Sequence, residues 1–173
     1  FLYKVHEKAA ALYQRNLFSH SGKKPLKYLK ERNLKDETIK KFRIGFAIKS
    51  WNNLYSSLNQ MGPGDSLMKS GLFIRSKKGT FDRFRSRIMY PIFHQSGKVN
   101  AFGGRDFGDN DSAKYLNSPE TTLYQKSNTL YGLHVTKDVI RRSGYAILVE
   151  GYMDFLQLYQ VLRKNFLCNF LMD

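Results

Sequence analysis

The stretch RIMYPIFHQSGKVNAFGGR, residues 87–105, decides the fold class. It consists of an apolar, β-rich run, a polar turn at Gln95-Ser96-Gly97 and a second β-rich run. Two such runs joined by a short turn that contains glycine are typical of antiparallel strands. Pro91 predicts an edge position or a bulge in the first strand, because proline donates no hydrogen bond to a neighbouring strand. Gly103-Gly104 predicts a further turn after the second strand.

The segments around this hairpin predict more strands and a helical N-terminal region. Short β-rich runs at 72–75 and 114–117 extend the pattern into a mainly antiparallel sheet. Apolar residues at helical spacing predict helices over residues 1–18, from Pro25, from Asp36 and over 51–61 with Ser50 as its cap, and a strand over 44–48.

The C-terminal region has a different pattern. A predicted helix over 134–142 leads into Tyr145-Ala146-Ile147-Leu148-Val149, a continuous apolar run typical of a strand buried on both faces in a parallel sheet. An amphipathic helix follows from about Phe155. We therefore expect an α+β chain: a subdomain of helices and antiparallel sheet over residues 1–143, then the first strand and helix of an α/β domain over 144–173.

The composition indicates a folded protein that binds polyanions. The chain has 173 residues, 42% hydrophobic, with 29 Lys and Arg against 14 Asp and Glu, for a net charge of +15. Nucleic acid is the first candidate partner and an anionic membrane surface the second. The only cysteine, Cys168, excludes an internal disulfide or a cysteine-based zinc site, fits a cytoplasmic location and is interpreted as a small buried apolar residue. No apolar run reaches the ~18 to 20 residues of a membrane span.

Basic residues concentrate in one segment, which we call the basic belt. Its members are Arg75, Lys77, Lys78, Arg83, Arg85, Arg87, Lys98 and Arg105. Asp82 is the only acidic residue among them, and aromatic residues are interleaved. Cationic side chains follow phosphates and rings stack on unpaired bases, so the belt predicts a surface for single-stranded nucleic acid. The alternative is that the rings are core and the lysines are a solvated face.

The segment Glu150-Gly151-Tyr152-Met153-Asp154 places two carboxylates around the end of the predicted C-terminal strand. Functional groups of open α/β sheets collect beyond the carboxyl ends of the strands. Two carboxylates together with substrate phosphates suit Mg²⁺ or Mn²⁺, which predicts a metal site at Glu150 and Asp154. The alternative is that Asp154 only caps the following helix or interacts with its dipole.

Two further segments carry polar groups on turns. Arg105, after the paired glycines, and Lys114 can bind phosphate, and Asn117 can bind a base or a ribose. Lys126 is another candidate phosphate ligand. Read alone, the first segment favours a glycine turn with an ordinary polar loop, and Lys126 favours an ordinary surface lysine.

These segments, in this order, resemble the bacterial DnaG-type DNA primase family. The matching segments are 28–34 (YLKERNL), 42–47 (FRIGFA), 82–92 (DRFRSRIMYPI), 97–105 (GKVNAFGGR), 114–121 (KYLNSPET), 123–126 (LYQK), 130–133 (LYGL) and 149–154 (VEGYMD). The combination is specific and covers nearly all of the chain up to about Leu162. Residues 165–173 depart from the family pattern.

The resemblance implies a DNA-dependent RNA polymerase that makes short RNA primers on single-stranded DNA from ribonucleoside triphosphates. It implies that the last part of the chain opens a TOPRIM fold, the metal-binding fold shared with topoisomerases, with Glu150 and Asp154 in its acidic, catalytic site. It also implies that a template and nucleotide groove is lined by Arg32, Arg105, Lys114, Tyr115, Asn117 and Lys126. The belt adds Arg83 and Arg85 to this set.

Three parts of the family pattern are not found in these residues: the N-terminal zinc module, the second acidic motif Asp-x-Asp and the C-terminal helicase-binding domain. Zinc and the replicative helicase are therefore expected only through those parts, and the chain by itself is expected to be inactive. One alternative function is a non-catalytic module that binds single strands. Another is a nuclease or topoisomerase fragment, against which the segments 114–121 and 130–133 argue.

Overall fold

The computed structural model describes residues 1–108 and 113–162, together with the backbone of one further strand. The helices are α1 (Leu2–Leu17), α2 (Lys23–Glu31), α3 (Asp36–Lys41), α4 (Asn53–Leu58), α5 (Gly64–Met68), α6 (Leu133–Ser143) and α7 (Tyr152–Leu162). The strands are β1 (Gly45–Ala47), β2 (Phe73–Ser76), β3 (Gly79–Asp82), β4 (Arg87–Phe93), β5 (Val99–Asp106), β6 (Tyr115–Asn117), β7 (Ile147–Val149) and β8 (Phe166–Cys168). Our expectations for the Cys168 side chain and for residues 165–173 lie outside the described side chains. No helix in the described part is long and apolar enough to cross a membrane.

A four-stranded antiparallel sheet forms the centre of the molecule, in the order β1-β4-β5-β6. The strands β2 and β3 form a separate antiparallel hairpin, and β7 pairs in parallel with β8. The expected combination of helices and antiparallel sheet, an α+β fold, is confirmed.

Each face of the central sheet is covered by a different set of helices. On one face, Val5, Ala9 and Tyr13 of α1 share a core cluster with Met89 and Phe102 of the sheet. On the other face, a second cluster joins sheet residues to the end of α3 and to α7, with Tyr90, Phe42, Tyr152, Phe155 and Tyr159 among its members. The helix α7 therefore completes the core on this second face, although it comes from the last part of the chain.

Of two predictions about the central hairpin, the one for Pro91 is confirmed and the one for Gly103-Gly104 was wrong. Pro91 lies in β4, an inner strand, but β1 pairs only with Arg87, Ile88 and Met89, so Pro91 lies beyond the end of β1. A register shift follows at Ile92/Phe93, which confirms the bulge. Gly103-Gly104 does not form a turn but continues β5.

The helix predicted over 51–61 is shorter than its apolar pattern. It begins at Asn53, so its N-cap residue is Asn52 and not the predicted Ser50, and a 3₁₀ turn at Asn59–Met61 follows it. The carboxylate of Asp82 accepts hydrogen bonds from two N–H groups of its first turn and so fixes where it starts. Trp51 lies outside the helix and is 62% exposed.

The strand expected to be buried on both faces is largely exposed. In β7, Ile147 is 42% and Leu148 57% exposed. The parallel pairing with β8 is present, but no element of the described chain covers the faces of this pair enough to bury them. A run of apolar residues thus predicted the strand correctly and its burial wrongly.

Candidate nucleic-acid groove and carboxylate site

Tyr152 joins the carboxylate segment to the central sheet. Its ring is parallel to the ring of Tyr90, with centroids 4.7 Å apart, and meets Tyr131 edge-on at 4.9 Å. A Cβ atom on Gly103 would lie only 2.1 Å from the Tyr152 hydroxyl oxygen. The absence of a side chain at Gly103 therefore makes room for the tyrosine, and the start of α7 is held against β5.

Arg105 and Tyr115 lie beside this contact on the same sheet face, as directly paired residues of β5 and β6. The Arg105 guanidinium lies 4.6 Å from the ring centroid of Tyr28, in cation–π contact. Its Nη1 donates to the carbonyl of Asp106 at 3.3 Å. Tyr28 thus supports a guanidinium that remains partly exposed and able to contact a phosphate.

Arg32 reaches the same region from the end of α2. Burial raises the pKa of the Tyr90 hydroxyl, and the positive charges of Arg105 and Arg32 both act to lower it. The Arg32 carbonyl accepts a hydrogen bond from Gln157 of α7 at 2.8 Å. The backbone at Arg32 therefore contacts α7, and the charge of its side chain acts, like that of Arg105, on Tyr90.

Asn117 is the predicted groove residue that contacts the carboxylate segment directly. It is paired with Gly103 across the sheet, two residues along from the pair Arg105 and Tyr115. The hydroxyl of Tyr152 donates to its Oδ1 at 2.8 Å. Asn117 is half-buried.

The two predicted metal carboxylates are exposed around the start of α7. Glu150 follows β7, and Asp154 lies in the first turn of the helix. A Cβ atom on Gly151 would lie 2.8 Å from Asp154 Oδ2, so the Asp154 carboxylate lies over the Gly151 backbone. Within the described residues no group of three or more potential metal ligands occurs. Two exposed carboxylates fit Mg²⁺ or Mn²⁺, which bind few protein oxygens when substrate phosphates supply others.

Two predicted lysines lie on neighbouring segments. Lys114 is exposed immediately before β6, and its carbonyl accepts the N–H of Asp106. Lys126 begins a 3₁₀ turn, Lys126–Asn128, and its backbone N–H donates to Glu120 Oε1 at 3.0 Å.

Arg83 and Arg85 belong to a second region. Arg85 lies 4.3 Å from the ring centroid of Trp51, and both line a cavity of about 300 Å³ with Arg83 and Lys49. The Arg83 Nε donates to the carbonyl of Gly71 at 2.9 Å, and burial lowers the pKa of its guanidinium. An exposed ring with a stacked arginine suits an unpaired base and its phosphate.

The basic belt is thus not one continuous surface. Arg87 is 6% exposed and its Nη1 donates to the carbonyls of Gly104 and Ala113, on the opposite sheet face from Arg105. Arg75 forms an ion pair with Asp65 at 2.7 Å, and Lys98 lies over the ring of Tyr3. Several belt residues therefore have structural partners.

Three aromatic residues complete the two regions but were absent from our predicted site: Tyr28, Trp51 and Tyr152. Tyr28 and Tyr152 lie inside segments that matched the family pattern. Trp51 carried a signal that we misread, since it was placed on the apolar face of a helix.

Comparison with known proteins matches this fold to one family. The family described as DNA primase catalytic core, N-terminal domain, matches residues 12–137. The DNA primase of Legionella pneumophila is 40% identical over 162 residues, which cover 92% of this chain and 27% of that protein. The chain therefore spans about a quarter of the length of this curated relative.

Two solved structures with DNA superpose closely. One is the RNA polymerase domain of Mycobacterium tuberculosis primase DnaG, in complex with a double-stranded DNA oligomer with a 6-nucleotide overhang. It has a TM-score of 0.94 and 32% identity, and the match covers 99% of this chain and 55% of that one. The other is a DnaG primase catalytic domain bound to single-stranded DNA, with a TM-score of 0.84, 34% identity and coverage of 97% and 53%. The chain belongs to the family of the DNA primase catalytic core, N-terminal domain.

Proposed function

We propose that this chain forms the template and nucleotide groove of a DNA primase and contributes two carboxylates to its metal site. The observation that carries the proposal is the contact of Tyr152 with Gly103 and Asn117, which brings the segment of Glu150 and Asp154 beside the arginines of the sheet. A primase needs both kinds of group in one place: cations for phosphates and carboxylates for a divalent metal.

In this proposal Arg105, Arg32 and Lys114 bind phosphates of the template and of the incoming ribonucleoside triphosphates. Tyr115 and Asn117, between them and the carboxylates, contact the sugar or base, and Lys126 adds a further cation. Arg83 and Arg85, with Trp51, hold an adjoining part of the single strand. The DNA complexes of the two related primases support DNA as the ligand.

The reaction proposed is attack of a ribonucleotide 3′-hydroxyl on the α-phosphate of the next nucleotide, with pyrophosphate as leaving group. Glu150 and Asp154 would hold Mg²⁺ or Mn²⁺, and a divalent metal supplies charge stabilisation at the attacking and leaving oxygens. The arginines fix the triphosphate so that the α-phosphate faces the hydroxyl. The RNA primer is the product.

The division of the chain also remains a proposal. We assign residues 1–143 to the basic subdomain and 144–173 to the opening of a TOPRIM domain, with the boundary where Gly144, at φ 74°, ends α6. Primase relatives imply action at the replication fork in the cytoplasm, with a replicative helicase bound through another domain.

The first test is binding of single-stranded DNA by the chain itself. We expect fluorescence anisotropy with a labelled thymidine oligonucleotide to show tight binding at low salt. The slope of log K against log salt should be about −0.7 for each phosphate contacted. A response independent of salt would contradict the phosphate groove.

The second test uses Arg105→Ala and Lys114→Ala, with Arg142→Ala as the control. Arg142 is exposed on α6 and belongs to neither the proposed groove nor the basic belt, and its loss changes the net charge equally. We expect several-fold weaker binding for the first two variants, a shallower salt slope, and parental binding for Arg142→Ala. Equal binding by all three variants would show that only net charge matters.

The third test concerns catalysis and needs a longer protein that joins this sequence to the rest of a primase catalytic core. There, Glu150→Gln keeps the side-chain shape but removes the charge. We expect primer synthesis to fall by about a hundredfold or more, with single-strand binding unchanged. Near-parental synthesis would remove Glu150 from the metal site, and a non-catalytic binding module would remain.

A further inference from the structure

The side-chain amide of Asn117 has two different ends, and only one of them is used inside the protein. Its Oδ1 accepts the hydroxyl proton of Tyr152 at 2.8 Å. Among the described residues no hydrogen bond from its Nδ2 is found. The group that Asn117 offers to the groove is therefore an N–H₂ donor.

The position of the Tyr152 hydroxyl is tightly restricted. The ring is stacked on Tyr90 and bounded by Tyr131, and the missing side chain of Gly103 leaves room for the hydroxyl and little more. A phenol is a better hydrogen-bond donor than acceptor, because its oxygen lone pair is partly delocalised into the ring. The hydroxyl therefore favours the amide orientation in which the Asn117 carbonyl faces inward.

We propose that Tyr152 is a positioning residue that fixes Asn117 as a hydrogen-bond donor for a nucleotide oxygen. The inference rests on the proposed function, because it takes the groove to be the nucleotide site. On the same sheet face Arg105 also offers only donors, so an oxygen of a phosphate or sugar is the matching group. A base amino group, itself a donor, does not match Asn117 in this orientation.

The first experiment compares Tyr152→Phe with Tyr90→Phe in the complete chain. Each variant removes one buried hydroxyl from the same ring stack, but the Tyr90 hydroxyl has no hydrogen-bond partner among the described residues. We expect Tyr152→Phe to weaken binding of a thymidine oligonucleotide or of ATP about threefold to tenfold, with Tyr90→Phe like the parent. Equal effects of the two variants, or no effect of either, would overturn the positioning role.

The second experiment tests the direction of the hydrogen bond and does not depend on Tyr152→Phe folding. Asn117→Asp keeps the acceptor for Tyr152 but presents an acceptor to the groove, whereas Asn117→Ala presents nothing. We expect Asn117→Asp to bind more weakly than Asn117→Ala. Asn59 is exposed in the 3₁₀ turn Asn59–Met61 and is not a residue of the proposed groove, so Asn59→Asp corrects for the added charge. Binding by Asn117→Asp that equals or exceeds that of Asn117→Ala would show that the groove does not need a donor here.

The source of the oxygen is distinguished by comparing ATP with 2′-deoxyATP. If Asn117→Ala abolishes a preference for ATP, the acceptor is the ribose 2′-oxygen; if it weakens both equally, the acceptor is an oxygen that both share, as in the phosphates. A shift of the Asn117 side-chain NH₂ resonances on addition of ATP, lost in Tyr152→Phe, is expected in either case. Failure of the parent to bind either ligand would refute the proposed function. Parental binding in Tyr152→Phe, with weaker binding in Arg105→Ala, would refute only this inference.

Discussion

The carboxylate of Asp82 accepts a hydrogen bond of 2.7 Å from the backbone N–H of Leu54, which lies 28 residues earlier in the sequence. It also accepts the N–H of Tyr55 at 2.9 Å, so one buried side chain satisfies two N–H groups at the start of α4. The single acidic residue of the basic belt is thus used inside the protein. It does not neutralise the belt at the surface.

Asp82→Ala should destabilise the fold by about 2 kcal/mol, because two helix N–H groups lose their acceptor in a buried place. Urea unfolding measures the change. Asp65→Ala removes the same charge from an exposed ion pair with Arg75 and should cost less than about 1 kcal/mol. Equal stabilities of the two variants would contradict the assigned cap.

Arg87→Ala should lower the free energy of unfolding by about 3 kcal/mol. The buried Arg87 guanidinium donates to two backbone carbonyls and lies 3.7 Å from Asp106 Oδ1, and the variant loses all of these contacts. Thermal and urea unfolding measure this effect. Arg85 is partly exposed, contacts the ring of Trp51 and donates to one carbonyl, that of Asp82, so Arg85→Ala should cost less stability than Arg87→Ala and should weaken DNA binding. A large loss of stability in Arg85→Ala, with little change in Arg87→Ala, would show that the roles of the two arginines are assigned wrongly.

His134 should make stability depend on pH. Burial, and then the charges of Lys41 and Lys137, lower the pKa of His134 from 6.5 to about 4. Below pH 6.5 the unfolded chain takes up a proton that the folded one does not, so this stability is complete above 6.5 and decreases as pH falls toward 4. His134→Gln loses the stack on Phe93 and should be less stable at pH 7, but the difference from the parent should narrow by about 2 kcal/mol by pH 4. If the stabilities of the parent and of His134→Gln changed equally with pH, the lowered pKa of His134 would be contradicted.

Gly103→Ala should destabilise the fold by about 2 to 3 kcal/mol, because the new methyl group would overlap the Tyr152 ring and force α7 away from β5. In the double variant with Tyr152→Ala the overlap is gone. The two changes together should therefore cost at least about 1 kcal/mol less than the sum of the single effects, as urea unfolding can measure. Additive effects would show that the two residues do not touch.

Local patterns predicted much of this structure. The apolar spacing predicted α1 and α7, the glycine at 144 predicted the end of α6, and the β-rich runs predicted the strands of the central sheet. These features depend on residues within a few positions of one another, which is the range that periodicity and turn chemistry encode.

The remaining features depend on contacts between distant parts of the chain. Asp82 fixes the start of α4 from 28 residues away, and Gln157 bonds the carbonyl of Arg32 across 125 residues. Gly103-Gly104 was predicted as a turn because paired glycines are typical of turns. The same pair also occurs in a strand where a neighbouring side chain, here the Tyr152 ring, packs against the backbone. The family resemblance identified the candidate groove residues. Only the folded structure showed that they and the basic belt are divided between two regions.

The position of α7 after the central sheet in the sequence has a consequence for biosynthesis. Until Tyr152, Phe155 and Tyr159 leave the ribosome, the sheet face that carries Tyr90 lacks its cover. At about 5–20 residues per second, the ribosome needs about 2 to 7 seconds to proceed from the end of β6 to the start of α7. During that interval the nascent chain exposes an aromatic surface on which a chaperone could bind, and a chain released at Ser143 would keep that surface and be prone to aggregate.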